Sequence, residues 1–375
     1  MNETIYTGID IGSKNIKIMS LSFNRETNKT KILYKNSFPS AGVSDGYISN
    51  SELFIQSFAE SLKKCKKETS IDIKEAIFTI DSFGLKSKTI KIIHNTVNQH
   101  VISEIDIDEI TRKINIIAKK NIPGEIIDSR LIKYKVNNYE YFSSVEELQS
   151  KKVEAEYIFI YAPANHISTL EKVATSQDIS ITGIVSGNII SGEINLEKED
   201  KNLGVLNVDI GADKTSFSLW EDSKLIFLDS FNFGSDDITK KISLEKKISF
   251  SEAESLKRNF KDDKKIEKLI RLSSKEIVEK IKFILVELGK HELLPAGVVL
   301  FGGGAKNDIV RSEFKNILSL PVKKYSKNIL DSDTDYHAVY AALIHQIMEE
   351  KNESLFTFKS FINPLKKIFS KIKLG

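Results

Sequence analysis

Two short segments of this chain share a pattern suited to holding phosphate. Gly8-Ile9-Asp10-Ile11-Gly12-Ser13-Lys14 is echoed by Val208-Asp209-Ile210-Gly211-Ala212-Asp213-Lys214. Each stands between two runs that read as β-strands, so each is the turn of a hairpin. Glycine in such a turn lets backbone N–H groups approach an anion with no Cβ in the way. An aspartate ending the incoming strand can hold the water shell of Mg²⁺, which prefers oxygen ligands and keeps several waters. One such turn alone is an ordinary hairpin. Two, each opening an α/β half, make jaws that could grip phosphates from both sides. A third segment, Val298-Val299-Leu300-Phe301-Gly302-Gly303-Gly304-Ala305, runs a strand into a glycine triplet ahead of a helix. A nucleoside can lie there against bare backbone.

The elements that must position these residues repeat as well. Thr4–Asp10, Ile16–Phe23 and Lys31–Phe38 read as three strands. A helix follows at Ser51–Lys66, with Phe54, Phe58 and Leu62 on one face, and then a buried strand at Glu75–Ile80. The texture changes from Phe83 to Tyr161. Strands at Lys88–Ile93, Arg130–Val136, Tyr139–Phe142 and Glu154–Tyr161 surround a helix marked by Ile107, Ile110, Ile114 and Ile117, which suggests an inserted α+β unit. A helix at Ala164–Gln177 and a strand at Ile179–Val185 resume the first half. The opening pattern then returns as strands at Leu203–Asp209, Thr215–Glu221 and Lys224–Phe231. Helices at Ser251–Phe260 and Ser273–Lys290 lead to the strand Gly297–Phe301, with further helices at Asn307–Leu318 and Asp335–Met348. The order is α/β in character.

At 375 residues the chain is long enough for two or three domains. Its formal charge of +3 gives no reason to expect nucleic acid as a partner. Cys65 is the only cysteine, so no intrachain disulfide can form, which fits a reducing compartment. No apolar stretch approaches the roughly 20 residues that span a bilayer, so any membrane contact is peripheral. The charge is unevenly placed. After Glu353 there is no acidic residue, while Lys359, Lys366, Lys367, Lys371 and Lys373 follow. Pro364 suits the first turn of a helix. Leu365, Ile368, Phe369 and Ile372 then make one apolar stripe flanked by lysines, with Phe356, Phe358, Phe361 and Ile362 just before it. Such a helix can lie in an anionic lipid surface. Docking on the protein's own core and docking on a partner protein are the other two readings.

The order of the two turns and the late glycine strand resembles the superfamily of actin, sugar kinases and heat-shock chaperone ATPases. The resemblance implies two similar α/β lobes with ATP and Mg²⁺ in the cleft between them. It puts Asp10, Gly12, Ser13 and Lys14 on one side of the phosphates. Asp209, Gly211, Ala212, Asp213, Lys214 and Thr215 take the other side, with Gly234 close by. Gly302, Gly303 and Gly304 meet the adenosine, and Asp10 and Asp209 hold the metal through water. Ala253-Glu254-Ser255-Leu256-Lys257 is similar to the A-E-x-[IL]-K helix that touches ribose and base in bacterial actins. Glu254 and Lys257 are thus cofactor candidates, with an ordinary exposed helical pair as the equal alternative.

Within that superfamily the chain resembles the FtsA family of bacterial cell-division actins. The likeness rests on the first turn followed by Phe38-Pro39-Ser40-Ala41-Gly42-Val43-Ser44-Asp45-Gly46, on the insert, on Phe233-Gly234-Ser235-Asp236-Asp237-Ile238-Thr239, and on the basic tail. It implies subdomain IA at 1–82 and 162–190, an inserted IC at 83–161, IIA at 191–232 and 289–348, and IIB at 233–288. A linker at 349–357 and a membrane-binding amphipathic helix at 358–375 complete the expectation. Phe361, Leu365, Lys366, Lys367, Ile368, Phe369, Lys371, Ile372 and Lys373 would meet the membrane. By resemblance the chain forms ATP-dependent filaments and binds the C-terminal peptide of FtsZ. It would tether the division ring to the inner face of the cell membrane and engage downstream division proteins. The second turn departs from the family's Asp-Ile-Gly-Gly-Gly-Thr-Thr-Asp at Ala212, Asp213, Lys214 and Ser216, so at most slow ATP hydrolysis is expected. Gln177 is the nearest residue by position for orienting a water, though it also reads as a helix-end surface residue. The rival readings are a PilM-like type IV pilus platform protein, which shares an Asp-Ile-Gly-Ala turn, and a small-molecule kinase of the same superfamily.

Overall fold

A computed structural model describes residues 3–96, 101–260, 263–291, 293–323 and 334–355. Alternating apolar residues build an antiparallel meander of β1 (Glu3–Ile11), β2 (Asn15–Asn24) and β3 (Lys29–Pro39). A tiny hairpin, β4 (Val43–Ser44) and β5 (Tyr47–Ile48), precedes α1 (Ser51–Thr69). Asn50 starts that helix by accepting the Leu53 N–H at 3.1 Å. The left-handed residue Ser70 ends it. Phe54, Phe58 and Cys65 on its inner face are fully buried. The crossover through α1 brings β6 (Glu75–Ile80) parallel to β1.

The inserted unit consists of β7 (Lys86–Asn95), α2 (Glu104–Asn121), β8 (Glu125–Val136), β9 (Tyr139–Tyr141) and β10 (Lys152–Ala162). Its sheet has the order β7-β10-β8-β9 and is antiparallel throughout. Ile110 and Ile114 of α2 close its own core with Ile90, Ile92 and Phe159. The chain then returns through α3 (Ala164–Ser176) to β11 (Ser180–Ser186), which lies parallel to β6.

Two short helices, α4 (Gly187–Asn195) and α5 (Lys198–Leu203), lead to β12 (Val205–Ile210), β13 (Thr215–Glu221) and β14 (Lys224–Phe231). The helices α6 (Ser235–Lys246), α7 (Phe250–Arg258) and α8 (Lys264–Glu287) follow, and then β15 (Gly297–Phe301). After a 3-10 turn at Gly303–Lys306 come α9 (Asp308–Leu318), the short β16 (Val322–Lys323) and α10 (His337–Leu355). The first large sheet has the order β3-β2-β1-β6-β11 and the second β14-β13-β12-β15-β16. Hairpin partners run antiparallel and crossover partners parallel in both, so the two lobes repeat one topology.

The lobes meet at α4. Asn188 donates through Nδ2 to the Ser216 carbonyl at 3.1 Å, and Asn207 returns a bond to the Asn188 carbonyl at 3.0 Å. Buried amides paired in this way fix the approach of the lobes, because an unpaired polar group there would be costly.

Two expectations about the C-terminal part change. The last helix, placed in the second lobe by the family resemblance, packs on the first. Val339, Leu343 and Ile347 share a core with Tyr6, Met19 and Leu21. Gly8 makes room for it, since a Cβ there would stand 2.7 Å from the Val339 side chain. The expected linker from 349 is also helical as far as Leu355. Its polar residues have partners on the first lobe: the Tyr6 hydroxyl donates to Glu350 at 2.6 Å, and Lys351 lies over the Phe23 ring at 4.4 Å. Residues 356–375, with the whole expected membrane helix, lie outside the described residues. Among the described residues no helix is long and apolar enough to cross a membrane.

Candidate functional site

The two repeated turns close in the same way. The Gly12 N–H donates to the Asn15 carbonyl at 3.0 Å, and the Gly211 N–H to the Lys214 carbonyl at 2.9 Å. A Cβ on Gly12 would lie 3.0 Å from that accepting oxygen, and one on Gly211 would lie 3.2 Å from its counterpart. The tightness of the turn therefore favours glycine at both places. Both turns open into one cleft of about 600 Å³ between the lobes.

Asp10 and Asp209, at the ends of β1 and β12, line this cleft together with Gly12, Ser13, Lys14, Gly211, Ala212, Asp213 and Lys214. Glu254, Lys257, Gly302, Gly303 and Gly304 line it too. Thr215 and Gly234 do not. The Thr215 hydroxyl is buried and donates to the Phe233 carbonyl at 2.8 Å. Gly234 is pressed against the second turn, where a Cβ would stand 2.2 Å from the Ala212 carbonyl oxygen. Gln177 ends α3, donates to the Ser176 carbonyl at 3.2 Å and is not among the cleft residues.

Several cleft residues escaped the sequence reading. Lys17 extends from β2 and donates to Asp10 Oδ2 at 2.7 Å, while Thr79 donates to Asp10 Oδ1 at 2.7 Å. Burial works against the Lys17 charge, but Asp10, backed by Asp209 and Asp335, raises its pKa above the usual lysine value. Asp81, just past β6, accepts from Ser186 Oγ at 2.9 Å and from the Asn188 N–H at 3.2 Å at the start of α4. Burial raises its pKa above the ordinary carboxylate range, against the pull of Lys214. Asp209 is pushed up to about 7 by burial and by Asp81, with Lys214 and Lys17 opposing. The signal that could have found Lys17 is its place directly across the hairpin from Asp10. Asp81 had no local pattern, because it reaches the cleft only through the crossover.

The glycine triplet divides its work. Gly302 has φ +84°, and a Cβ on it would fall 2.1 Å from Asp209 Oδ1, so this backbone rests on that carboxylate. A Cβ on Gly304 would meet Ile210 at 2.4 Å. Gly303 has nothing within 4 Å in that direction. It is the position at which bare backbone faces open space.

Glu254 and Lys257 are not an exposed pair. Lys257 is 7% exposed and donates to the Ser235 carbonyl at 2.8 Å, Ser235 Oγ at 2.7 Å and Thr239 Oγ1 at 2.6 Å. Its ammonium also stands 2.7 Å from Glu254 Oε2, which accepts from Thr239 at 2.7 Å. Burial opposes the Glu254 charge, yet the hydrogen bonds from Lys257 and Thr239 hold its carboxyl at about 2. From the first lobe, Lys14 reaches Asp236 and Glu254, each at 3.6 Å.

The donor set suits a polyphosphate better than a directly bound metal. Lys14, Lys17 and Lys214 enter from the two hairpins, beside the N–H groups of two glycine turns. Both oxygens of Asp10 are already engaged, and among the described residues no group of three or more His, Cys, Asp or Glu side chains could hold a metal ion. A hydrated Mg²⁺ would have to be held through water and by the phosphates themselves.

Comparison with known proteins agrees with this geometry. The family model described as "Cell division protein FtsA" matches residues 206–344. Cell division protein FtsA of Bacillus subtilis (strain 168) is 21% identical over 356 residues, covering 88% of this chain and 80% of that protein. Among solved structures, the PilM-PilN type IV pilus biogenesis complex aligns with a TM-score of 0.66 at 16% identity, over 91% of this chain and 98% of the other. MreB 5 of Spiroplasma citri bound to AMPPNP aligns with a TM-score of 0.53 at 12% identity, over 93% and 98%. The chain is thus similar to cell division protein FtsA over most of its length, and its fold is actin-like.

Proposed function

We propose that this chain is an ATP-binding, filament-forming adaptor that carries the FtsZ division ring on the inner face of the cytoplasmic membrane. The observation that carries the reading is the pair Asp10 and Asp209, matched strand-end carboxylates beside matched glycine turns on one cleft. ATP phosphates between the turns, with the adenosine over Gly303, would join the lobes, and Mg²⁺ would accompany them through water near Asp10 and Asp209. The FtsA likeness supports a role in division, filament formation, and the C-terminal peptide of FtsZ as a partner of the α6–α8 region, with downstream division proteins recruited by the filament. The apolar stripe and lysines from Phe361 to Lys373 support attachment to anionic lipid. A single short helix binds weakly, and polymerisation multiplies the attachment.

Binding of a fluorescent ATP analogue, competed by ATP, tests the cleft. Sedimentation with anionic liposomes tests the tail. The full chain should pellet and a chain lacking Pro364–Gly375 should stay in solution. Equal pelleting of the two would remove the tail from the proposal.

A PilM-like platform role is the second reading. It is favoured by the fold match to the PilM-PilN complex and by Ala212 after Gly211. Pull-downs with an FtsZ C-terminal peptide and a PilN peptide separate the two. Capture by the PilN peptide alone would replace the division role.

A further inference from the structure

We propose that Lys214 is a resident cation of the phosphate cleft, so that this chain holds a nucleoside polyphosphate with little help from a divalent ion. The inference rests on the nucleotide reading above and concerns how that site balances charge.

Lys214 closes the second turn with its own carbonyl, and it lines the cleft. A Cβ on Gly46 would lie 2.8 Å from Lys214 Cε, so the stem is covered by backbone of the other lobe. Its charge opposes the burial that raises the carboxyls of Asp81 and Asp209, and it adds to the burial that lowers the imidazole of His166. Lys214 lines the cleft together with Asp81, just past β6, and Asp209 of β12, so it belongs to the meeting point of the two lobes. Lys17 neutralises Asp10 from the other hairpin at 2.7 Å.

Asp10, Asp81 and Asp209 thus share the cleft with two lysines that the fold itself supplies. A dication entering here meets the Lys17 ammonium on Asp10 and Lys214 in the same lining, and finds each Asp10 oxygen already accepting a hydrogen bond. A polyphosphate meets the same ammonium groups as partners, together with Lys14 at the rim. Charge pairing in a partly enclosed cleft is stronger than in water, so these fixed cations can do much of what a bound ion would do. Their positions are paid in advance by folding, which an ion recruited from solution cannot match.

The test measures affinity of the full-length chain for a fluorescent ATP analogue, with Mg²⁺ and with EDTA. For the unaltered chain the two affinities should agree within about threefold. Lys214→Met should weaken binding in EDTA by about tenfold or more, and Mg²⁺ should recover most of that loss. Lys214→Gln, with a thermal melt of each variant, guards against a fold defect. Lys214→Met that binds the analogue in EDTA as tightly as the unaltered chain overturns the role of Lys214. Tight binding with Mg²⁺ that falls by about tenfold or more in EDTA overturns the resident cation and leaves the nucleotide site standing. Absence of binding under both conditions overturns the nucleotide site and this inference together.

Discussion

The backbone N–H of Asp45 donates to Asp213 Oδ2 at 3.3 Å, joining the small β4–β5 hairpin of the first lobe to the glycine turn of the second. The next residue, Gly46, donates its N–H to Ser13 Oγ at 3.0 Å. One two-residue turn therefore touches both phosphate-type turns. Burial and the Asp213 charge together push the Asp45 carboxyl upward.

Gly46 has φ +71°, and a Cβ there would come within 2.8 Å of Ser82 Cα and of Lys214 Cε. Gly46→Ala should cost about 1–3 kcal/mol, read from the denaturant midpoint. Asp213→Ala should leave global stability within about 1 kcal/mol while speeding exchange of the Asp45 amide by about tenfold. Unchanged exchange at Asp45 would show that the bond across the lobes contributes nothing.

The glycine triplet allows a contrast within two residues. Gly302→Ala meets both a positive φ and the Asp209 carboxylate, and should lose about 2–4 kcal/mol of stability. Gly303→Leu points into open space and should keep its stability within about 0.5 kcal/mol. It should weaken ATP-analogue binding by about tenfold or more. Paired melts and titrations read both quantities, and equal stability losses would mean that the two glycines do the same work.

Lys257 holds α6 to α7 through Ser235, Thr239 and Glu254. Its replacement by Met leaves Glu254 with Thr239, the exposed Arg258 and the more distant Lys14, inside a site built around an ammonium. The expected cost is about 3 kcal/mol, seen as a lower urea midpoint. A midpoint that does not move would reduce Lys257 to a surface residue, against its 7% exposure.

His166 is buried against Tyr47, with no hydrogen bond to either ring nitrogen. Burial first, and the Lys214 charge second, bring its imidazole down from 6.5 to about 4. The unfolded chain takes up this proton near 6.5 and the folded chain resists until about 4, so stability falls as pH drops through that window. The loss assignable to this group is at most ~3 kcal/mol. His166→Phe should lose less stability than the parent between about pH 7 and about pH 4.5, measured by urea unfolding at both. Equal losses would assign the acid sensitivity to the carboxylates alone.

The repeated Asp-x-Gly turns, the glycine triplet and the α/β order were all legible in the amino-acid sequence, because each is a local pattern. A tight turn needs glycine at a fixed offset, and an amphipathic strand or helix shows its period within a few residues. By that route the chain itself determined the jaws of the cleft. Only the tertiary structure decided what lies between them. Asp81 arrives through a crossover, Lys17 becomes a partner of Asp10 through hairpin register, and Thr215 and Gly234 turn out to support the second turn from behind. It also carried α10 back onto the first lobe and extended that helix through Glu350 and Lys351, whose partners stand more than 300 residues away. Contacts across such separations depend on the packing of whole lobes, and no local period records them.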